Sequence, residues 1–251
     1  MLCKNFNDVM SAIKDKKLGI ILSFEGVEPL YNDLDLLKIF YKLGVRGLGL
    51  TWSRRNYAAD GCHYTDVPEG RKGGLTDFGF NLIKEAEKLG MLIDVSHLND
   101  EGFDDVLKFT KNPFIASHSN SRALSNIKRN LTDFQIKAIA NRGGIICVNA
   151  SSIMVADNDE DSNAEYLAKH IDYIVNLAGI DHVGFGFDFC DRFEESGQIY
   201  SNSRISFDVI KGHGEANKVL KILSNRGYNS KDIEKIGCEN YLRVLDNVIN
   251  K

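Results

Sequence analysis

The sequence lacks an excess of charge of either sign. Its 31 lysine and arginine residues stand against 35 aspartate and glutamate residues, which gives a formal net charge of -4. This net charge is too small, and of the wrong sign, for a surface that binds a phosphate backbone by charge. We therefore expect no nucleic-acid partner.

Cysteine pairs and long apolar runs are also lacking. The 5 cysteines are widely spread and form no C-x-x-C motif, which argues against a disulfide framework and a thiolate zinc site. The N-terminal stretch MLCKNFNDVMSAIKDKK carries acids and lysines where a signal peptide needs apolar residues. No run approaches the roughly 18 apolar residues of a membrane span. These absences predict a cytoplasmic protein with no membrane partner.

The composition that remains is that of a folded domain, with 43% hydrophobic and 26% charged residues. Short apolar runs recur, and their nearly continuous apolar character is typical of buried parallel strands. These runs are LGIIL (18–22), VRGLGLT (45–51), MLIDVS (91–96), FIAS (114–117), GIICVN (144–149) and VGFGF (183–187). The segments between them space apolar residues three and four apart and end in glycine, which predicts amphipathic helices.

Repeated strand–helix units predict an α/β fold, either a (β/α)8 barrel or a doubly wound sheet. No G-x-G-x-x-G motif follows a strand, so the TIM-type barrel is favoured. Only about six strands are apparent where a closed barrel has eight. We expect one barrel domain over residues 1–251, incomplete at its N-terminus. The long loop Ser53 to Gly74 is a candidate lid or substrate loop.

Four residues that can bind a metal follow the ends of apolar runs: Glu25, His97, His118 and Asp188. Active sites of barrels are assembled at the C-terminal ends of their strands. Two histidines and one carboxylate suffice to hold a catalytic zinc ion, and a second carboxylate such as Asp188 could orient or deprotonate a water. The sequence therefore indicates a metal-dependent hydrolytic site.

Each of these residues also has an ordinary structural explanation. A histidine at a strand end can be a hydrogen-bonded structural residue, Glu25 can be an N-terminal helix acid, and Asp188 can belong to a turn. Arg129 and Asn130 could bind a carboxylate, although an exposed arginine is commonplace. Solvated or structural positions are expected for the remaining histidines, His63, His170, His182 and His213.

A series of motifs runs through the chain from Leu18 to Leu245. They are LSFEG, GLGLTW, GLTDFG, GMLIDVSHL, PFIASHSNSRAL, RNLTDFQIKAI, HIDYI, DHVGFGFDF and NYLRVL. In order and spacing they resemble the motifs of the membrane (renal) dipeptidase family, the zinc peptidases of family M19. The resemblance implies a metal-dependent hydrolase barrel with two zinc ions that acts on dipeptides.

The resemblance also assigns roles by motif. Glu25 of S-F-E-G matches the carboxylate that bridges the two metals, and His97 and His118 match the two histidines of one site. Arg129 of R-N-L matches the residue that holds the substrate's carboxylate. Asp188 of G-F-D-F matches the acid near the bridging water and the substrate amine.

Two departures from the family pattern affect these expectations. No H-x-D motif precedes Glu25, because the first histidine is His63, so the strand and helix that carry that half of the metal site are expected to be missing. Trp52 stands where some relatives carry a histidine that polarises the substrate carbonyl. We group Trp52 with Arg129 and Asn130 as predicted substrate-binding residues.

The sequence thus predicts a zinc-dependent dipeptidase that holds one zinc ion per chain. Glu25 and Asp188 are its predicted catalytic residues, and a dipeptide is its predicted substrate. Two alternatives stay open. The chain could be a catalytically impaired or non-catalytic relative that binds metal or ligand, or it could be one part of a split or homo-oligomeric enzyme that another chain completes.

Overall fold

The structure, a computed structural model, describes residues 1–64, 70–189 and 205–249. The strands are β1 (Leu22–Glu25), β2 (Val45–Gly49), β3 (Leu92–Asp94), β4 (Ile115–Ala116), β5 (Ile145–Val148) and β6 (Val183–Phe185). The α-helices are α1 (Phe6–Lys14), α2 (Leu34–Leu43), α3 (Asp77–Leu89), α4 (Asp100–Phe109), α5 (Asp133–Asn141), α6 (Ser152–Val155), α7 (Ala164–Ala178), α8 (Ala216–Asn225), α9 (Ser230–Glu234) and α10 (Asn240–Ile249). A π-helical turn, Lys235–Glu239, joins α9 to α10.

The strands form one sheet whose spatial order follows the sequence, from β1 to β6. The pairs β1–β2, β2–β3, β3–β4 and β5–β6 are parallel. Parallel strands that alternate with helices confirm the predicted α/β class. Within the described residues the sheet has six strands and is open, with β1 and β6 at its ends, which agrees with the expected shortage of strands for a closed barrel.

Helix boundaries follow the predicted start and stop signals. Gly44 ends α2 with φ 118°, and its N–H bonds the carbonyl groups of Phe40 and Tyr41. Thr132 begins α5 with a reciprocal capping box, in which its backbone N–H lies 2.8 Å from Gln135 Oε1 and its hydroxyl accepts from the Gln135 N–H at 3.3 Å. These local signals therefore predicted the end of α2 and the start of α5 correctly.

The first predicted strand is misplaced. A buried strand was expected over residues 18–22, but β1 begins at Leu22, and Leu18 and Ile20 are 77% and 47% exposed. Ile20 instead forms a single parallel bridge with Leu2. The residues of β2 are all buried, because β2 has a neighbouring strand on each side. Because β1 lies at an end of the described sheet, its apolar residues stay more exposed.

The described chain divides into two compact units. The first comprises the described residues of Met1–Cys62, Pro68–Ile115 and Leu242–Lys251, and the second comprises those of His63–Val67 and Ala116–Tyr241. β1 to β3 belong to the first unit, and β5 and β6 belong to the second. The single domain expected over residues 1–251 stays a prediction. None of the helices in the described ranges combines the length and apolar character that a bilayer crossing needs.

Candidate metal centre and substrate site

Glu25 is the last residue of β1. Its register partner in β2 is Gly49, which in turn pairs with Asp94 of β3, so the ends of these three strands are level. The chain leaves β1 through Gly26, whose φ of 98° is in the left-handed region that favours glycine. This turn leaves the Glu25 side chain half exposed, with Oε1 3.0 Å from His97 Nε2.

His97 follows β3 in an unusual backbone conformation. Its φ is 72°, which is costly for a residue with a Cβ atom. The Thr51 hydroxyl and the Cys62 N–H both donate to the His97 carbonyl oxygen, at 3.2 and 2.8 Å. The imidazole is buried, and its ring centroid lies 5.8 Å from that of Trp52. Neighbouring segments therefore hold His97 in place although its backbone is strained.

His118 follows β4 and is also buried. Its Nδ1 lies 2.7 Å from the Ser117 hydroxyl oxygen. A partner on one ring nitrogen fixes the ring orientation and makes the other nitrogen, Nε2, the atom that can bind a metal. At Gly186, just after β6, an added Cβ would lie 1.8 Å from the Ser117 carbonyl oxygen, so this close approach requires glycine.

The three predicted metal ligands form one cluster. The ligand atoms of Glu25, His97 and His118 all lie within 4.8 Å of one another. Two atoms bound to one tetrahedral zinc ion at about 2.0–2.1 Å stand about 3.3 Å apart. The donor set therefore fits zinc, and ligand atoms that stand farther apart than this have to approach one another when the ion binds. No other three His, Cys, Asp or Glu residues of the described ranges form such a group.

Arg129 lies in the loop that precedes α5 and is 3% exposed. Its Nη2 is 3.4 Å from the His118 carbonyl oxygen, and its guanidinium carbon lies 5.6 Å from the centre of the Tyr64 ring. Nε is buried and has no hydrogen-bond partner among the described residues. A buried guanidinium with an unsatisfied donor is a good binding group for a carboxylate.

The side chain of Asn130 is fully buried and bonded to the backbone. Its amide group donates to the carbonyl oxygens of Ser125 and Met154, and its Oδ1 accepts from the Asn120 N–H. These bonds give Asn130 a structural role in the loop that carries Arg129. Its predicted contact with a substrate stays a prediction.

Asp188 lies three residues beyond β6 and is exposed, with φ 63°. The Asn149 amide group donates a hydrogen bond to Asp188 Oδ2 at 3.1 Å. Sequence reasoning missed Asn149, although it directly follows β5 and so satisfies the same strand-end criterion that identified the other site residues. Tyr64 was missed because nothing in the sequence connects its loop with Arg129.

An H-x-D sequence occurs later in the chain, at His170 to Asp172 in α7, but these residues do not form a metal site with each other. His170 Nδ1 accepts from the Ser121 N–H at 3.1 Å, and Nε2 lies 2.7 Å from the Val155 carbonyl oxygen. Asp172 pairs instead with Arg226. His170 is therefore a buried structural histidine, as expected.

The predicted substrate loop Ser53 to Gly74 is described except for residues 65–69. Asp60 is nearly buried in it, pairs with Arg55 and accepts the Gly73 N–H at 2.6 Å. The Arg55 hydrogen bond, together with the one from the Gly73 N–H, holds the pKa of the Asp60 carboxyl below its usual range. Asp60 thus connects Arg55, near the start of the loop, with Gly73, near its end. The role of the loop as a lid stays a prediction.

Comparison with known proteins identifies the family. The profile of the membrane dipeptidases, peptidase family M19, matches residues 1–251. An uncharacterized protein of Klebsiella pneumoniae, encoded in the pqqA 5' region, is 34% identical over 253 residues, which are 98% of this chain and 88% of that protein. The dipeptidase tcpJ of Claviceps purpurea (strain 20.1) is 28% identical over 242 residues, 96% of this chain, and the chain spans about half, 54%, of its length.

A solved structure gives the same result. A metallo peptidase from Rhodobacter sphaeroides, liganded with a phosphinate mimic of the dipeptide L-Ala-D-Ala, is 30% identical and superimposes with a TM-score of 0.84 over 99% of this chain and 68% of its own. This likeness confirms the predicted TIM-barrel-like fold. The match along the whole sequence and the shared fold together show that the chain belongs to the membrane dipeptidase family, peptidase family M19.

Proposed function

We propose that the chain is a zinc-dependent dipeptidase that hydrolyses the peptide bond of dipeptides with a metal-activated water. The observation that carries this proposal is the cluster of Glu25, His97 and His118 in a chain of the M19 family. Glu25, His97 and His118 would hold the zinc ion. When bound, zinc supplies Lewis acidity that polarises a carbonyl group and makes a water more acidic.

Arg129 would bind the C-terminal carboxylate of the dipeptide. Its guanidinium is buried, and the contact with the His118 carbonyl oxygen is long, at 3.4 Å, so a substrate carboxylate would supply hydrogen bonds that the protein does not. The Tyr64 ring beside the guanidinium favours the cation and restricts its orientation. A fixed carboxylate would set the register of the scissile bond, which favours dipeptides over longer chains.

Asp188 would accept a proton from the attacking water or bind the amino group of the substrate. Its carboxylate is exposed, so small molecules can reach it, and the Asn149 amide donates a hydrogen bond that orients it. Trp52 packs against His97 and is half-buried, which supports a contact with both the metal ligand and the substrate. A cytoplasmic location, a homo-oligomeric state and a complementing chain stay predictions.

One assay separates this function from the second candidate, a relative that binds ligand without turnover. That candidate would keep the cluster of Glu25, His97 and His118 and bind a dipeptide without hydrolysing it. The zinc-loaded chain is incubated with L-Ala-D-Ala, with its C-terminal amide and with a tripeptide, and released amino acids are quantified. We expect release from the dipeptide only. Binding of the dipeptide in calorimetry without any release would favour the second candidate.

A further inference from the structure

Asn149 is surrounded by hydrogen bonds that fix its side chain. Its backbone N–H donates to Asn120 Oδ1 at 2.9 Å, and its carbonyl oxygen accepts from Asn120 Nδ2 at 3.0 Å. Its side-chain Oδ1 accepts from the Ser151 N–H at 2.6 Å. Because Oδ1 is taken by a backbone donor, the amide nitrogen must point the other way, where it meets Asp188 Oδ2 at 3.1 Å.

Asn120, the main partner of Asn149, is itself fixed by further hydrogen bonds. Asn120 is fully buried and its amide group also donates to the Met154 carbonyl oxygen at 3.1 Å. The Asn120 N–H donates to Asn130 Oδ1 at 3.2 Å, next to Arg129 in the chain. A satisfied, buried polar network of this kind permits one arrangement and rigidifies it. The network thus links the carboxylate of Asp188 to the loop that carries Arg129.

Asp188 needs such support. Its left-handed backbone, with φ 63°, is unfavourable for a residue with a Cβ atom, and the side chain is exposed to water. An amide that donates to one carboxylate oxygen fixes the orientation of the group. A fixed orientation serves a carboxylate that has to accept a proton or hold an ammonium group.

We propose that Asn149 is a positioning residue that orients the Asp188 carboxylate. The proposal rests on the proposed function for the role of Asp188 in the reaction, but the coupling between the two side chains can be measured without turnover. Asn149 acts through Asp188 and is not itself assigned a contact with the substrate.

The test is the variant Asn149→Asp. It keeps the acceptor for the Ser151 N–H but places a second carboxylate against Asp188, and two carboxylates that share a site do not both ionise at their ordinary pH. In the folded protein labelled with carbon-13 in its aspartate carboxyl groups, the Asp188 signal is identified by its loss in Asp188→Asn. We expect its titration midpoint to rise by about one pH unit or more in Asn149→Asp. Asn149→Ala, which removes the donor without adding a charge, should raise it less.

Asn158→Asp provides the matched control, because Asn158 donates to Asp161 Oδ2 at 2.8 Å in an exposed loop. It should leave the Asp188 titration and the catalytic rate unchanged. An unchanged Asp188 titration in both folded Asn149 variants would overturn the proposal. So would a rise of equal size in the Asn158 control.

Kinetics on dipeptides provide the second readout. We expect kcat/KM of Asn149→Asp to fall on the order of 10- to 100-fold at neutral pH and its acidic limb to move to higher pH, with zinc affinity unchanged. In the Asp188→Asn background, Asn149→Asp should add no further loss. A full additional loss there would show that Asn149 does not act through Asp188. If the unaltered protein hydrolyses no dipeptide, the proposed function fails while the titration still decides the coupling.

Discussion

At the residue scale, two predicted site residues have a backbone conformation that their side chains disfavour. His97 and Asp188 have φ values of 72° and 63°. Each such conformation costs on the order of 1–3 kcal/mol and persists only where the surroundings impose it. The two hydrogen bonds on the His97 carbonyl oxygen and the Asn149 contact with Asp188 are such surroundings. Strain at both positions is consistent with residues that are held for function.

Arg129→Ala is expected to raise KM for dipeptides far more than it changes folding stability. Loss of a paired carboxylate contact removes about 2 to 4 kcal/mol of binding free energy, so KM should rise on the order of 100-fold. Stability should change little, because the guanidinium has few bonds to the protein and its burial is costly. Steady-state kinetics and thermal unfolding of the same samples check both statements.

Lys128→Ala is the matched control for this prediction. It removes the neighbouring cation from the same loop, where Lys128 is exposed, and should leave KM unaltered. Arg129→Lys should fall between the two variants, because an ammonium keeps the charge but not the bidentate geometry. Collapse of thermal stability in Arg129→Ala with normal KM would show that the residue has only a structural role.

Zinc binding should change the fluorescence of Trp52. This residue is the only tryptophan of the chain, and its ring lies 5.8 Å from that of His97. We expect the emission to change on addition of zinc to the metal-free protein and to saturate at one equivalent, because the described residues supply one three-ligand cluster. His97→Ala should weaken the binding by more than about 100-fold, since even partners outside the first ligand set contribute about 10- to 100-fold.

His213→Ala is the control for the zinc titration. His213 is exposed and packs on Phe189, away from the three ligands in sequence, so its removal should not change the titration. An identical fluorescence titration in His97→Ala and the unaltered chain would mean that zinc binds elsewhere.

At the element scale, α7 is fixed to the preceding loops by a neutral histidine. Burial lowers the pKa of His170 from 6.5 to about 4, against a smaller opposing effect of the hydrogen bond to Val155. Between these two pH values the unfolded chain binds a proton that the folded chain does not. The unfolded state is therefore favoured as the pH falls, and the free energy of unfolding decreases by about 3 kcal/mol through this one group.

His170→Gln should remove this dependence. The variant is expected to be less stable at pH 7.5, because it loses hydrogen bonds to Ser121 and Val155, but its free energy of unfolding should decline less between pH 6.5 and about 4. Denaturant titrations across that range measure the difference, with His213→Gln as the exposed control. Equal declines in all three proteins would mean that His170 does not titrate as described.

The elements themselves were largely predictable. Each long amphipathic segment carried its own stop or cap, such as Gly44 after α2 and Thr132 before α5, and these signals act locally. The position of β1 was not predictable, because burial of an apolar run depends on what covers it. Leu18 and Ile20 have the composition of a core strand and yet are exposed.

At the scale of the whole molecule, the candidate site was predictable because parallel strands all end on the same side. Glu25, His97 and His118 are far apart in sequence, but Glu25 ends a strand and the two histidines each follow one, in a sheet whose strands lie in sequential order. The supporting contacts were not predictable. The Ser117 hydroxyl on His118, the Tyr64 ring beside Arg129 and the Asn149 amide on Asp188 depend on side-chain packing that no spacing encodes.

We propose that a zinc ion held by Glu25, His97 and His118 makes the chain a dipeptidase. The most direct test measures kcat/KM for L-Ala-D-Ala against zinc occupancy, in the unaltered protein stripped with a chelator and reloaded stepwise, and in His118→Ala treated in the same way. We expect activity to rise in proportion to bound zinc in the unaltered protein and to be lower by a factor on the order of 100 or more in the variant. Hydrolysis that survives complete removal of zinc, or that His118→Ala retains in full, would contradict it.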